Sequence, residues 1–158
     1  MLTKQRCEEL FTYHDGALYR KQAVVGFPAG SLAGSLSSTG YFHVRVDNKR
    51  QLWHRIIFLM HFGWLPPVVD HIDGDPRNNR VENLRAATRS QNQHNRKANK
   101  NCNQNGKGLK QLPSGSWLVR LSRKNNGVFC RAFKELELAQ LVAEEARELY
   151  HGKFARHF

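Results

Sequence analysis

The sequence predicts an α+β fold in two parts joined by a polar tether. The first part is an N-terminal β-hairpin region leading into a strand–strand–helix unit. The second is a small three-stranded antiparallel sheet packed on one helix. Three observations carry this prediction. Short runs of β-branched and aromatic residues are separated by tight-turn pairs such as Asp15-Gly16 and Asn126-Gly127. Apolar residues recur at helical spacing in two windows, 51–62 and 135–150. Between 93 and 107 the chain is Asn, Gln, Lys, Arg and Gly with few apolar residues. The expected division is 1–98, a linker over 99–107, and 108–158.

In chain order, 1–12 is expected to begin with a short helix. Residues 13–25 form a hairpin turning at Asp15-Gly16, and 26–40 is a Gly-, Ser- and Pro-rich loop. Tyr41, Phe42, Val44 and Val46 mark a strand, with 47–50 as its turn. Trp53, Ile56, Ile57 and Met60 place one apolar face on a helix over 51–62, which Gly63 and Pro66-Pro67 end. Residues 68–72 and 85–88 are a strand pair around a turn-rich loop. A helix follows from Ser90, its expected N-cap. In the second part, strands are expected over 109–112, 117–122 and 128–133. The final helix shows an apolar face at Leu138, Ala139, Val142, Ala146 and Leu149, and Gly152 stops it.

Composition narrows the partners. The chain of 158 residues carries a formal net charge of +12, which favours a polyanion such as a phosphate backbone. A membrane is not expected, because no long apolar run or basic amphipathic helix occurs. The first nine residues lack the apolar core of a signal peptide. Cys7, Cys102 and Cys130 are scattered and odd in number, which argues against a disulfide framework or a cysteine-bound zinc. An intracellular, reducing setting is expected, with Cys130 as a small core residue.

The densest chemistry lies in Val69-Asp70-His71-Ile72-Asp73-Gly74 and the amides after it, Asn78, Asn79, Asn83 and Asn92. Asp70 can ligate a hard cation, and His71 can take a proton from water near neutral pH. Asn83 can hold His71 by a hydrogen bond, and Asn92 can complete the cation's protein ligands. Singly, each residue is also ordinary turn or cap chemistry.

The combined pattern, DHIDG followed by NNR, ENL and a further Asn, resembles the HNH endonuclease family, in its homing-endonuclease branch, from His54 to Asn95. The resemblance implies a ββα-metal core and metal-dependent, site-specific hydrolysis of double-stranded DNA to 5′-phosphate and 3′-hydroxyl ends. Its implied catalytic residues are His71, as general base, and Asn83, which orients it. Its implied metal ligands are Asp70 and Asn92. Asn92 stands where zinc-binding members carry histidine, so Mg²⁺ or Mn²⁺ is expected. His54 is expected to support the site rather than react. One motif implies one nick per binding event, by a monomer on DNA, and a phage-encoded enzyme in the cytoplasm or nucleoid of a bacterial host.

Residues 108–158 are similar to the ethylene-response-factor type of DNA-binding domain, through Trp117, Phe133, the Ala-containing helix, Gly152, Ala155 and Phe158. Arg131 and His157 depart from that pattern, standing for a usual glycine and asparagine. The resemblance implies a sheet lying in the major groove. Arg120, Ser122, Arg123, Lys124 and Arg131 are then candidates to face DNA, with Arg96, Lys97 and Lys107 tracking phosphates on the tether. Trp117 is either a stacking residue or core. Lys21, Arg45, Lys49 and Arg50 are either further phosphate contacts or solvated turn charges. The alternative function is a DNA-binding regulator with an inactive nuclease site.

Overall fold

The computed structural model describes residues 2–95, 106–122 and 127–155, with the side chains of His94 and Asn95 outside that description. The chain divides into two compact units, Met1–Arg89 and Ser90–Phe158. The division falls at the start of the third helix rather than in the tether.

The first unit opens with α1 (Lys4–Leu10), capped by the Thr3 hydroxyl, which accepts from the Arg6 N–H at 3.2 Å. The hairpin β1 (Phe11–His14) and β2 (Ala17–Arg20) follows. Its two turn residues, Asp15 and Gly16, both have positive φ, 45° and 85°. That backbone twist suits a two-residue hairpin, and explains why Asp-Gly signals one. A second two-residue turn, Asp47-Asn48, has φ of 47° and 61°. It joins β4 (Phe42–Val46) to β5 (Lys49–Leu52). The sequence reading placed 47–50 in the turn and began the helix at Gln51. Because the turn needs only two residues, Val46 pairs with Lys49, and the helix α2 starts at Trp53 (Trp53–Phe62). The expected loop over 26–40 also contains a short strand, β3 (Ser35–Leu36), at the edge of β4.

Helix α2 is the core of the unit. Ile56 and Ile57 are fully buried, and Phe58 and Leu59 nearly so. Trp53 stacks on Phe42 with ring centroids 4.4 Å apart. Its indole N–H donates to the Ala33 carbonyl at 2.7 Å, which pins the long loop to the helix. Gly63 ends α2 in the left-handed region at φ 77° and donates to the Leu59 carbonyl, as its sequence position predicts. Beyond it, β6 (Val68–His71) pairs antiparallel with β7 (Leu84–Ala87), and α3 (Arg89–Asn95) follows. Ser90 therefore sits inside the first turn of α3 and is not its N-cap.

In the second unit, β8 (Leu109–Gln111), β9 (Trp117–Ser122) and β10 (Val128–Phe133) form a sheet in the order β10-β9-β8, and α4 (Leu136–His151) packs on it. Ala139 and Ala146 of the expected helix face are buried and Val142 half-buried, while Leu138 and Leu149 are exposed; Ala143 and Arg147 complete the buried stripe. An alanine stripe lets the helix backbone come close to β9, whose Val119 is fully buried. Trp117 packs, half-buried, against this core. Cys130 is exposed, because it lies opposite Arg120 on the outer face of the sheet. No helix among the described residues is long and apolar enough to cross a membrane.

Gly34 marks the tightest approach in the first unit. Its φ is 99°, and a Cβ there would stand 2.0 Å from the His43 carbonyl oxygen. Gly34→Ala is expected to cost at least about 2 kcal/mol, since both conformation and space forbid it. Urea denaturation reads the loss, and an unchanged midpoint would contradict this packing.

Candidate active site

Strand β6 delivers Asp70 and His71 side by side, both only 5 % exposed. Consecutive strand residues point to opposite faces, so the two side chains meet different partners. Asp70 lies directly across the ladder from Arg85, whose Nε donates to Asp70 Oδ2 at 2.8 Å. Both side chains are largely buried, so this pair fixes the carboxylate in one orientation.

His71 reaches the loop between the strands. Its Nε2 lies 3.1 Å from Asn79 Oδ1. The Asn79 amide is itself oriented, because its Nδ2 donates to the Arg77 carbonyl at 3.1 Å. The amide oxygen therefore faces the histidine, and Nε2 must carry the proton. The neutral ring then holds its lone pair at Nδ1, the atom that can take a proton from water. Asn79 is 2 % exposed.

Asn83, the expected partner of His71, is used differently. Its Nδ2 donates to Asp73 Oδ1 at 2.9 Å and to the Asn78 carbonyl at 2.8 Å, and its Oδ1 accepts from the Asp73 N–H at 3.1 Å. Those three bonds use the amide's geometry, so the orienting role falls to Asn79. Asp73 is the hub of the loop: it also accepts from the Asp75 N–H and the Asn78 amide. Burial pushes its carboxyl up, but the hydrogen bonds from Asp75, Asn83 and Asn78 outweigh that, and its pKa lies below the usual 3.8.

The N-terminal hairpin braces this loop. The Tyr13 hydroxyl accepts from the Val81 N–H at 3.1 Å, and Arg80 pairs with Asp15 at 2.8 Å. On the other side, His54 of α2 meets the His71 ring with centroids 5.0 Å apart and planes at 72°, and Tyr41 lies 6.1 Å from His71. His54 is 6 % exposed. Burial first, then His71 and Arg55, lower its pKa to about 3. It is a neutral ring packed on the candidate base, in line with the supporting role expected from sequence.

Residues 51–94 match the family model described as HNH endonuclease. No curated protein and no solved structure matches the chain. The match supports an HNH nuclease family and runs from the end of β5 through α2 and the β6–β7 pair into α3. It takes in Asp70, His71, Asn79, Asn83 and Asn92. Asn92 is half-buried on α3, in the second unit. Among the described residues no group of three His, Cys, Asp or Glu side chains gathers as a metal site.

Of the expected DNA-facing residues, Arg96, Lys97, Arg123 and Lys124 lie outside the described residues, as do His157 and Phe158. Arg120 is exposed on the outer face of the sheet with Ser122, and Lys110, paired with Leu118, joins them there. Arg131 is corrected: it pairs with Val119 and so belongs to the helix-packed face, exposed only because β10 is an edge strand. Arg85 and Lys110 were not singled out from sequence, and Asn79, though part of the noted stretch, was given no role. The cross-strand position of Arg85 was recoverable, since a register pairing His71 with Leu84 puts Arg85 opposite Asp70.

The buried His54 ties stability to pH. Unfolded, the ring protonates near 6.5, and folded only near 3. Between those values the unfolded chain holds the extra proton, so the contribution is complete above 6.5 and is lost as pH falls towards 3. The slope contributed is at most about 1.4 kcal/mol per pH unit. Denaturant melts across this range are expected to show a shallower decline for His54→Gln, and an identical profile would contradict the buried neutral ring.

Proposed function

We propose that this chain is a metal-dependent, site-specific DNA endonuclease of the homing type, which hydrolyses a phosphodiester of double-stranded DNA and nicks one strand per binding event as a monomer. The observation that carries the reading is the pose of His71: buried, next to Asp70, with Nε2 3.1 Å from the oriented amide oxygen of Asn79, a contact that calls for the proton on Nε2. A ring fixed in that tautomer accepts a proton from an attacking water without first reorienting.

The donor chemistry fits a hard divalent cation, Mg²⁺ or Mn²⁺, because a carboxylate and an amide oxygen are hard ligands. Asp70 would hold it, Arg85 would keep that carboxylate in place, and the family resemblance implies Asn92 as a further ligand. Such an ion, when bound, stabilises negative charge on the phosphate and the leaving 3′ oxygen. The chain's own part is to position His71 through Asn79, to hold the loop through Asn83 and Asp73, and to exclude water around the ring with His54 and Tyr41.

Target choice falls in this reading to residues 108–158, acting as an ethylene-response-factor-like module. The outer sheet face with Arg120, Lys110 and Ser122 supports it, since phosphate contacts position such a face and base-edge contacts discriminate sequence.

The test is nicking of a supercoiled plasmid library with Mg²⁺. Open-circular product is expected before linear product. His71→Ala is expected to lower the rate by about 10²–10⁴-fold while duplex affinity stays within about twofold of wild type. Wild-type cutting by His71→Ala would remove histidine from the role of base.

EDTA is expected to stop the reaction, with Mg²⁺ or Mn²⁺ restoring it. Asp70→Asn is the better probe of the cation, because its amide oxygen can still accept from buried Arg85, whereas Asp70→Ala takes away that acceptor as well as the charge, and breaking a buried pair outright costs roughly 3–5 kcal/mol. Asp70→Asn is expected to raise the Mg²⁺ concentration needed for half-maximal nicking. Recovery by Zn²⁺ alone would count against the oxygen-donor site.

A further inference from the structure

The second unit buries a charge that the proposed reaction does not use. Arg147 lies on α4 and is 3 % exposed. Its described hydrogen bond runs from Nη1 to the backbone carbonyl of Lys107, and its Nε is buried with no hydrogen-bond partner. No carboxylate pairs with it among the described residues. Glu144, one turn earlier, acts on it only at a distance, and burial leaves the guanidinium less basic than usual. An arginine inside a protein is ordinarily paired with an anion, because an isolated charge loses its hydration without compensation.

Arg147 lines a cavity of about 300 Å³, together with Lys107, Gly108, Arg120, Ser122 and His151. The lining brings Arg147 together with Lys107, and among the described residues it contains no acidic residue. Its floor depends on glycine: Gly108 has φ 82°, and a Cβ there would stand 2.8 Å from a Leu121 methyl. The Gly108 carbonyl accepts from the Arg120 N–H at 2.8 Å, which fixes the rim at the edge of β8 and β9.

We propose that this cavity is an oxyanion site that takes one phosphate group of a polynucleotide backbone, with Arg147 as its buried donor and Lys107 at its mouth. A guanidinium fork matches phosphate oxygens in pairs, and a site of this kind fixes register on a backbone without reading sequence. The anion site stands on the buried arginine alone. That the polynucleotide is duplex DNA rests on the proposed function.

The experiment uses the full chain in EDTA, so that no cutting intervenes. Its midpoint of thermal unfolding is followed with inorganic phosphate against sodium chloride of equal ionic strength, and its duplex affinity is followed against salt. Wild type is expected to melt higher in phosphate, and phosphate is expected to compete with the duplex beyond its ionic strength. Arg147→Met, which replaces the charge with an apolar side chain of similar length, is expected to fold, to lose the phosphate response, and to lower the log–log salt slope by about 0.9, the value of one phosphate contact.

A phosphate response kept in full by Arg147→Met, or none in wild type, would overturn the proposal. If Arg147→Met does not fold, Lys107→Gln is read in its place, with a weakened phosphate response expected and an unchanged one overturning the site. A wild type that responds to phosphate but not to duplex would leave the anion site standing and sink the DNA reading. A wild type that binds duplex but ignores phosphate would sink the anion site and leave the DNA reading standing.

Discussion

The side-chain amide of Asn83 closes the loop between β6 and β7, and the geometry around His71 depends on that closure. Its three hydrogen bonds join the two ends of the loop: Asp73 just after β6, Asn78 in the middle, and Asn83 just before β7. With those ends tied, Arg77 and Asn79 fall where the Asn79 amide bridges the Arg77 carbonyl and His71 Nε2. The chain thus uses two asparagines in series. One shapes the loop, and the other orients the ring. A short loop built this way needs little apolar packing of its own, which suits a segment that must stay open to a substrate.

Charge is handled differently in the two units. Asp70 is buried with a matched partner across the ladder, so the first unit keeps a carboxylate at its centre at tolerable cost. Arg147 is buried with a backbone carbonyl and, among the described residues, no carboxylate partner. Both arrangements trade stability for a poised charge, the first towards a cation and the second towards an anion. The surface pair Arg80–Asp15 adds little energy by comparison. Its value is to brace the loop against the hairpin turn.

Much of this was legible in the sequence. Asp15-Gly16, Gly63 and the alternation in 117–122 each impose a local geometry that tertiary packing did not change. Asp70 and His71 stood out because a carboxylate and an imidazole at the end of an apolar run need a reason to be buried. The partner of His71 was not legible. Asn78, Asn79 and Asn83 are chemically equivalent, and only the path of the loop decides which one reaches the ring. Arg131 failed for a matter of parity. Ser122 pairs with Val128, which puts Arg131 opposite Val119, and a loop one residue longer would have put it opposite Arg120. The face of α4 was partly misjudged because leucines outweigh alanines in any hydrophobic pattern, whereas a thin sheet accepts the smaller side chains.

The central claim is that the loop holds His71 as the Nε2–H tautomer, with its lone pair at Nδ1. The most direct measurement is the long-range ¹H–¹⁵N spectrum of the histidine rings in metal-free protein, at a pH where His71 is neutral. The account predicts a His71 pattern with the proton on Nε2, shifting towards a mixture of tautomers in Asn79→Ala. A proton on Nδ1 in the wild type, or a pattern indifferent to Asn79, would contradict it.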